Sequence, residues 1–254
     1  MSDIYFDGQL LNSAQVVCNK LNRQDMPERF LQQENLAFQD GFITQKALWK
    51  ERKVIIEGII TATTENIFQN VLDALKSKLK GINKNLSLPY VRNETSVNYK
   101  ATLVSFKCPE EHYNLTFIPW RAEFVCQPYG FGTLTYNAQS FNVVTTPFYS
   151  SVQVGGFQPT LPVHTITFEA TTSASSCALY NTTNGQGCDI THALTTGDIL
   201  IINTLTQTVT LNGTQIDFSG LFPELESGSN SLRIYMGGSP FKYDYVCTFN
   251  NRYL

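Results

Sequence analysis

The chain has 254 residues, enough for two domains that each bury a core. Charged residues make up only 15% of it and the net charge is −3, so the composition excludes a protein that binds nucleic acid through a broadly basic surface. No apolar run approaches the roughly 20 residues that a membrane-spanning helix needs, which excludes an integral helical membrane protein.

The first 45 residues combine a short hairpin with a polar arm. Ile4 and Phe6 alternate with polar neighbours ahead of Asp7-Gly8, a pair suited to a tight turn, so a hairpin at a sheet edge is predicted. Residues 19–45 are polar, rich in Gln and interrupted by Pro27, which predicts a long loop or arm. The first ten residues also lack the basic and apolar segments of a signal peptide, so synthesis in the cytoplasm is expected.

A strand and the only strong helix follow. Residues 54–60 are apolar apart from one Glu and one Gly, which predicts a strand largely covered on both faces. Apolar residues at helical spacing predict a helix over about 65–80, with a stripe of Ile67, Phe68, Val71, Leu72, Leu75 and Leu79. Thr63 or Thr64 is expected to cap its start, and Gly81 to end it in a left-handed conformation. Such a stripe indicates packing against the preceding strand rather than a cofactor site.

Beyond the helix the chain alternates between strands and breakers. Strands are predicted at residues 99–106 and 114–125, where Pro119 marks an edge or a bulge because proline cannot donate to a ladder. Residues 127–162 contain four Gly and four Pro, which predicts a linker zone with a domain boundary. From residue 163 onward the chain predicts short strands joined by Gly, Asn and Ser turns, and no helix.

The stretch from residue 197 to 235 is the most informative part of the chain. Residues 199–202 predict a buried strand, and Asn212-Gly213 predicts the tight turn of a second, alternating strand pair. Pro223 and the cluster at 228–230 then predict a loop before another strand. None of these residues forms a catalytic constellation, so they indicate a binding or structural role.

Charge is divided unevenly along the chain. Residues 1–145 hold 15 basic and 14 acidic side chains, whereas residues 146–254 hold 3 and 7. The two parts therefore carry +1 and −4, which predicts two modules with surfaces of different character. A weakly charged, acidic second module does not fit a DNA-binding role.

The six cysteines lie at positions 18, 108, 126, 177, 188 and 247 without a secretory context. They are expected to be reduced and to act as small apolar side chains. A bridge between Cys177 and Cys188 stays open as an alternative for a particle that matures outside the cell. Cys177, Cys188, Asp189 and His192 match no zinc-ligand spacing, so no metal site is predicted.

No segment predicts catalysis or cofactor binding. The chain lacks a Gly-x-Ser-x-Gly elbow, and Ser227-Gly228-Ser229 resembles only half of one. It also lacks the P-loop and Rossmann glycine patterns. Glu110-Glu111-His112 contains acid–base side chains, but neighbours on an irregular turn seldom converge on one substrate. We therefore predict a protein that is not an enzyme, with no catalytic residues, no cofactor and no metal.

A carbohydrate-binding module is the competing hypothesis. Lectin-like sandwiches stack sugars on exposed aromatic side chains, and the second part offers four tyrosines for that role, Tyr180, Tyr235, Tyr243 and Tyr245. Both tryptophans, Trp49 and Trp120, lie in the first part, and the second has only three basic residues, which weakens this alternative.

The order of these motifs resembles the C-terminal, galectin-like domain of distal tail proteins, the Dit-type hubs of long non-contractile phage tails. The shared order is Gly197-Asp198 before an apolar strand, then a TVTLNG hairpin, then a loop whose matching positions are Leu221, Phe222, Pro223, Leu225, Gly228, Asn230 and Ile234. The RKVIIEGII strand ahead of a helix and the later Trp120-Arg121 strand resemble the belt domain of the same family. The chain departs from the family in lacking an aromatic residue where Gly197-Asp198 leads into its strand.

The resemblance implies a mainly β protein with one helix. Residues 1–145 are expected to form an α+β belt domain that builds a ring, and residues 146–254 a galectin-like antiparallel β-sandwich that holds adsorption machinery. It further implies a homo-oligomer, a hexameric ring between the tail tube protein and the tail-tip or receptor-binding proteins, located in the virion at the phage tail tip. Hubs of this family pass DNA through a channel without specific binding, so neither a nucleic acid nor a membrane is an expected partner.

Overall fold

The computed structural model describes residues 3–22, 26–35, 42–89, 96–109, 114–143, 147–169, 173–238 and 241–254. The chain divides into two compact units, Met1–Phe131 and Gly132–Tyr253. This division lies earlier than the boundary at residues 145 and 146 expected from the sequence, because a long strand at Gly130–Val143 falls almost entirely within the second unit. The predicted fold class, mainly β with one helix, is confirmed.

The described part of the first unit has nine strands and one helix. They are β1 (Tyr5–Phe6), β2 (Gln9–Leu10), β3 (Val16–Asn22), β4 (Arg29–Asn35), β5 (Phe42–Trp49), β6 (Arg52–Ile60), α1 (Glu65–Lys78), β7 (Lys84–Pro89), β8 (Ser96–Lys107) and β9 (Ile118–Cys126). Seven strands pair antiparallel in the order β3–β6–β9–β8–β7–β1–β2. β4 and β5 pair with each other as a separate two-stranded ribbon.

The N-terminal hairpin forms as predicted. Asp7 and Gly8 both have positive φ, 50° and 78°, which is the geometry of a two-residue turn between twisted strands. Ile4 and Phe6 are fully buried, and β1 pairs along β7, so the hairpin is part of the core of the unit.

The helix α1 is confirmed, and it differs from the prediction in the exposure of one residue and in how it ends. The Thr64 hydroxyl accepts a hydrogen bond from the Ile67 N–H at 3.3 Å and caps the start. Ile67, predicted to lie in the buried stripe, is exposed, while Phe68, Leu72 and Leu75 are buried. The helix ends at Lys78 with a right-handed C-cap, so Gly81, which has φ 134°, does not end it.

In the sheet of the first unit, β6 and β9 approach each other closely at Gly58 and Trp120. Gly58 of β6 lies opposite Trp120 of β9, and a Cβ at Gly58 would overlap both the indole ring and the Val17 carbonyl oxygen. The alternate positions of β6 starting at Arg52 are buried, whereas its other face is exposed or half-buried. The sequence had predicted cover on both faces, and only one face has it.

The second unit is an antiparallel β-sandwich, as predicted. Its strands are β10 (Gly130–Val143), β11 (Phe148–Val154), β12 (Val163–Phe168), β13 (Ser173–Asn181), β14 (Gln186–Ile190), β15 (Leu194–Thr195), β16 (Ile199–Asn203), β17 (Thr208–Leu211), β18 (Thr214–Gln215), β19 (Ser219–Gly220), β20 (Gly228–Gly238) and β21 (Phe241–Tyr253). One layer has the order β18–β17–β16–β12–β21–β10 and the other β11–β20–β13–β14–β19, with β15 beside β13. Residues of both layers share one apolar core.

The predicted linker zone is largely strand. β10 and β11 occupy most of residues 127–162, although the division between the two units, after Phe131, falls within this zone as predicted. Gly130 stands where a side chain would overlap Val97 and Tyr99, and the prolines at 147, 159 and 162 all lie between strands. The breakers serve close packing and strand ends, and they do not interrupt the strands.

We expect Gly58→Ala to destabilise the first unit by about 1–3 kcal/mol, because the new methyl group must displace backbone or the Trp120 ring. Urea unfolding followed by tryptophan fluorescence, which reports on the first unit, and by far-UV circular dichroism, which reports on both units, measures this. Gly155→Ala is the matched control, since its nearest neighbour is the Asn251 side-chain amide at 3.3 Å, and it should change stability by less than about 0.5 kcal/mol. Equal stability of the two variants would contradict this account of β6 and β9.

Candidate functional site

The β4–β5 ribbon is an arm with apolar side chains on its surface. Phe30 and Leu48 form a cross-strand pair and are 52% and 47% exposed. At its base the Arg29 guanidinium lies 4.2 Å from the Trp49 ring centroid, and Lys50 pairs with Glu28 at 3.0 Å. An isolated two-stranded ribbon is marginally stable in water, so these apolar side chains are suited to contact with another protein surface.

An open apolar groove of about 700 Å³ lies on the same unit. Phe106 and Trp120 line it as a stacked pair with ring centroids 6.1 Å apart, and Phe117 is largely exposed beside them. Charged residues border the groove, where the Glu57 carboxylate pairs with Arg121 at 3.2 Å. Lysine and arginine on both sides of Glu57 lower the pKa of its carboxyl below the usual value, so it stays ionised at neutral pH.

The free side of β3 is a second candidate surface. Among the described residues β3 pairs with β6 alone, and Val17 is half exposed. Near the start of β3, Asn12 Oδ1 accepts from the Cys18 N–H at 2.9 Å, which partly covers this edge. The rest of the strand presents backbone groups that another strand can pair with.

In the second unit, buried amides hold the loop that carries the resemblance. Asn181 Nδ2 donates to the Glu224 carbonyl at 2.6 Å and to Asn230 Oδ1 at 2.9 Å. Asn230 Nδ2 in turn donates to the Glu226 carbonyl at 2.8 Å, and its Oδ1 accepts from the Glu226 N–H at 2.8 Å. Both asparagine side chains are buried and satisfied, so the motif residue Asn230 fixes the loop and performs no chemistry.

Hydrogen bonds join the Gly197-Asp198 motif to the Asn212-Gly213 turn. Asp198 accepts hydrogen bonds from the Thr195 N–H at 2.7 Å and from Asn212 Nδ2 at 2.7 Å. Asn212 has φ 52°, and its Oδ1 accepts from the Ile199 N–H. The Thr195 backbone N–H and the Asn212 amide lower the pKa of Asp198 from its usual 3.8.

The candidate metal and nucleophile residues do not converge. Cys177 and Cys188 are buried in the core, whereas His192 is exposed and its Nδ1 contacts the Ala193 carbonyl. Asp189 accepts from the Tyr180 hydroxyl. No cluster of metal-ligating side chains occurs among the residues that the structure describes. Glu110, Glu111 and His112 lie outside the described residues.

All six cysteines are free, and burial suppresses the reactivity of every one except the half-buried Cys108. Burial raises the thiol pKa to about 12 for Cys18, Cys126, Cys188 and Cys247. It raises the pKa of Cys177 further still. The thiolate is the nucleophile, so these side chains are inert near neutral pH.

Sequence reasoning assigned no role to His164, a polar residue in the core of the second unit. Its Nδ1 lies 2.8 Å from the Tyr245 hydroxyl, and both residues are fully buried. Burial lowers the pKa of His164 to about 4, so it is neutral at physiological pH. Tyr243 and Tyr245 are buried as well, which excludes both as sugar-stacking surfaces, while Tyr180 and Tyr235 reach the surface.

The half-elbow at residues 227–229 has a structural role. The Ser227 hydroxyl donates to the Gly156 carbonyl, which ties the loop to the segment before β12.

No described helix is long and apolar enough to cross a bilayer.

We expect Asp198→Asn to remove part of the pH dependence of stability. Because the pKa of Asp198 is lowered on folding, its contribution is present above pH 3.8 and is lost as the pH falls through the folded value. The variant should cost about 1 kcal/mol at pH 7 and progressively less toward about pH 3, as measured by urea unfolding. Asp217→Asn changes the net charge equally at an exposed site, and it should leave this pH dependence intact.

We expect native protein to react with a thiol reagent at Cys108 alone, since Cys108 is half-buried and the other five thiols are buried. Titration with a coloured disulfide reagent and mass spectrometry measure this, and Cys108→Ser should abolish the native reaction. In denaturant all six thiols should react. A deficit of two would instead reveal the Cys177–Cys188 bridge.

Comparisons with known proteins agree with this architecture. Residues 155–253 match the family described as siphovirus-type tail component, C-terminal domain. No curated protein sequence matches the chain.

Solved structures extend the similarity to the whole chain. The Dit protein (gp 19.1) of phage SPP1 superposes with a TM-score of 0.73 at 15% identity, covering 99% of this chain and 99% of that chain. Chains of the phage P2 baseplate in its activated conformation match with TM-scores of 0.43 with Ca and 0.42 with Sr, at 10% and 11% identity. Those two matches cover 97% and 96% of this chain and 96% of each baseplate chain. The resemblance to distal tail proteins is thus confirmed: residues 155–253 match the C-terminal domain of siphovirus-type tail components, and the whole chain has the fold of SPP1 Dit.

Proposed function

We propose that this protein is a structural distal tail hub, which forms a ring between the tail tube and the host-adsorption apparatus of a phage. The observation that carries the proposal is the shared fold over 99% of both chains with SPP1 Dit, a protein described as a hub adsorption apparatus in phages that infect Gram-positive bacteria. The ring has six copies, as in the family that the sequence resembles. The protein acts as an assembly component of the virion and not as an enzyme.

The first unit supplies the surfaces for assembly. It has an arm with exposed apolar side chains at Phe30 and Leu48, and a groove with aromatic side chains at Phe106, Phe117 and Trp120. Both surfaces need apolar contact, and the two are complementary in chemistry. In a ring each copy presents its arm to the next copy and receives one from the previous copy, which is a head-to-tail contact that closes by rotation.

The N-terminal hairpin does not act as an exchangeable arm. Ile4, Phe6 and Leu11 are fully buried, so their removal would expose the core of the unit. The assembly role therefore belongs to the β4–β5 ribbon.

The second unit supplies the surface for tail-tip and receptor-binding proteins. Its loops are held by satisfied buried amides, so it offers a rigid platform. Residues 146–254 carry a net charge of −4, which does not favour contact with DNA that passes through the ring. The location is the phage tail tip in the virion.

The ring is tested by changing the arm. We expect Phe30→Ser with Leu48→Ser to leave a folded protein, because both side chains are exposed, and to prevent or weaken assembly. The concentration needed for the hexamer should rise at least about tenfold, as measured by light scattering after size exclusion and by negative-stain microscopy.

Gln32→Ser is the matched control, an exposed polar residue on the same strand, and it should assemble as the wild type does. A second variant replaces residues 24–50 with a short Gly/Ser loop. Asn22 of β3 lies opposite Ile55 of β6, so a short connection can join these strands directly. This variant should be a folded monomer. Rings that persist without the ribbon, or a wild-type protein that stays monomeric at high concentration, would contradict the proposal.

A further inference from the structure

The outward face of one sheet in the second unit carries aromatic and basic side chains that the hub role does not use. Tyr149 of β11 lies opposite Arg233 of β20, and Arg233 lies opposite Tyr180 of β13. These three side chains form a row across three adjacent strands. Directly opposed residues have Cβ atoms about 4.5–5.5 Å apart, so the row is continuous.

A second row runs beside the first. Tyr235 of β20 lies opposite Ala178 of β13, and Ala178 lies opposite Asp189 of β14. Tyr149 and Tyr235 are 57% and 43% exposed. The small Ala178 side chain lies between Tyr235 and Asp189 and is buried. We call Tyr149, Tyr180, Asp189, Arg233 and Tyr235 the tyrosine–arginine patch.

Residues 146–254 contain three basic side chains, and Arg233 differs from the other two in its hydrogen-bond and ion-pair partners. Lys242 pairs with Glu169 at 2.6 Å, and Arg252 donates to the Pro159 carbonyl at 3.3 Å. Arg233 forms no ion pair with the described residues, and its Nε has no hydrogen-bond partner among them. That Nε is itself buried and the side chain is half-buried, so the terminal amino groups are the part of the guanidinium that a ligand would contact.

Tyr180 is held in place before any ligand binds. Its hydroxyl donates to Asp189 Oδ1, and this hydrogen bond raises the pKa of the phenol. Its ring lies over Gly187 on the neighbouring strand, where a Cβ would overlap it. The ring orientation therefore costs no ordering on binding.

The chemistry of the patch fits a sugar. Tyrosine rings present flat apolar surfaces to the C–H faces of a pyranose, with a polar hydroxyl at the edge. Arg233 supplies donors and Asp189 supplies acceptors, and sugar hydroxyls require both. The other outward positions on β11 and β20 are small or polar side chains, Ser151, Gln153, Ser229 and Ser231, which offer further hydrogen bonds.

Other occupants fit this patch less well. The core of a protein interface is apolar and depleted of charge, yet the patch has no aliphatic side chain larger than Ala178 and contains both a cation and an anion. A polyanion would meet the net charge of −4 on residues 146–254. A neutral saccharide satisfies the rings, the donors and the acceptors without that repulsion.

We propose that the tyrosine–arginine patch binds a neutral saccharide, with Tyr149 and Tyr235 stacking on sugar rings and Arg233 donating to their oxygens. This activity goes beyond the proposed hub role and does not depend on it. Full-length protein carries the site in a single unit, so binding is measurable whether or not the ring forms.

The test is saturation-transfer NMR followed by calorimetry on the full-length protein. The probes are cellohexaose, chitohexaose, maltohexaose and lactose, each up to about 10 mM, a range that detects millimolar affinities. At least one probe should bind. Tyr149→Ala and Tyr235→Ala should each weaken that probe about tenfold. Tyr149→Phe should keep most of the affinity because the ring remains, and Arg233→Lys should lose affinity with the planar fork.

Ile199→Ala is the control, an exposed residue on β16 in the other sheet, and it should bind as the wild type does. Thermal melting of each variant establishes that it is folded. If the alanine variants unfold, Tyr149→Phe and Arg233→Lys decide the outcome, since both preserve the surface.

Four results would overturn the proposal. One is the absence of binding by every probe, and another is equal binding by wild type and alanine variants. The third is binding of dextran sulfate alone, which would mark a site for polyanions. Loss of ring assembly in Tyr149→Ala without saccharide binding would identify a protein interface and would also overturn it.

Discussion

The alternation of side chains along β-strands governs both the core and the surface of this protein. In the second unit the inward positions of β11, β13 and β20 belong to one apolar core. The outward positions of the same strands place Tyr149, Arg233 and Tyr180 in one row. A shift of register by one residue would exchange these two sets. The register that packs the core therefore also fixes the positions of the surface patch.

The β4–β5 ribbon is separate from the seven-stranded sheet of the first unit. The seven-stranded sheet and α1 bury most of their apolar residues and leave a few exposed, such as Val17 and Val104, whereas Phe30 and Leu48 of the ribbon are exposed as a cross-strand pair. Two strands alone are marginally stable, so a ribbon of this kind gains stability from what it binds. In the proposed ring, order in the ribbon and assembly of subunits are linked, because binding to the folded form stabilises it. This linkage separates the ribbon from the hairpin at Ile4 and Phe6, which the unit needs in order to fold.

The motif residues of the second unit hold loops and turns in place through side-chain hydrogen bonds. Asn230 and Asn181 satisfy each other and the loop backbone, and Asp198 and Asn212 close a corner between two strands. Each buried amide that lost its partner would cost about 1–3 kcal/mol, a large part of the stability of one domain. These networks explain how a sequence motif can be specific to a family and still carry no chemistry. Burial raises the pKa of the Cys126 thiol to about 12 and lowers the pKa of His164 to about 4, so both side chains are uncharged at neutral pH.

Local sequence determined the elements whose signals lie within a few residues. The turn at Asp7-Gly8, the cap of α1 at Thr64 and the strands from residue 163 onward depend on neighbouring side chains, and the sequence predicted them. Tertiary structure decided what depends on distant partners. The glycines and prolines of residues 127–162 looked like breakers, yet β10 forms there in a sheet beside β21, and Gly130 at its start packs closely against Val97 and Tyr99. Tyr243 and Tyr245 could not be told from Tyr149 by composition, because the sheet on which a tyrosine lies and the face to which it points are set by strand pairing between residues far apart in the chain.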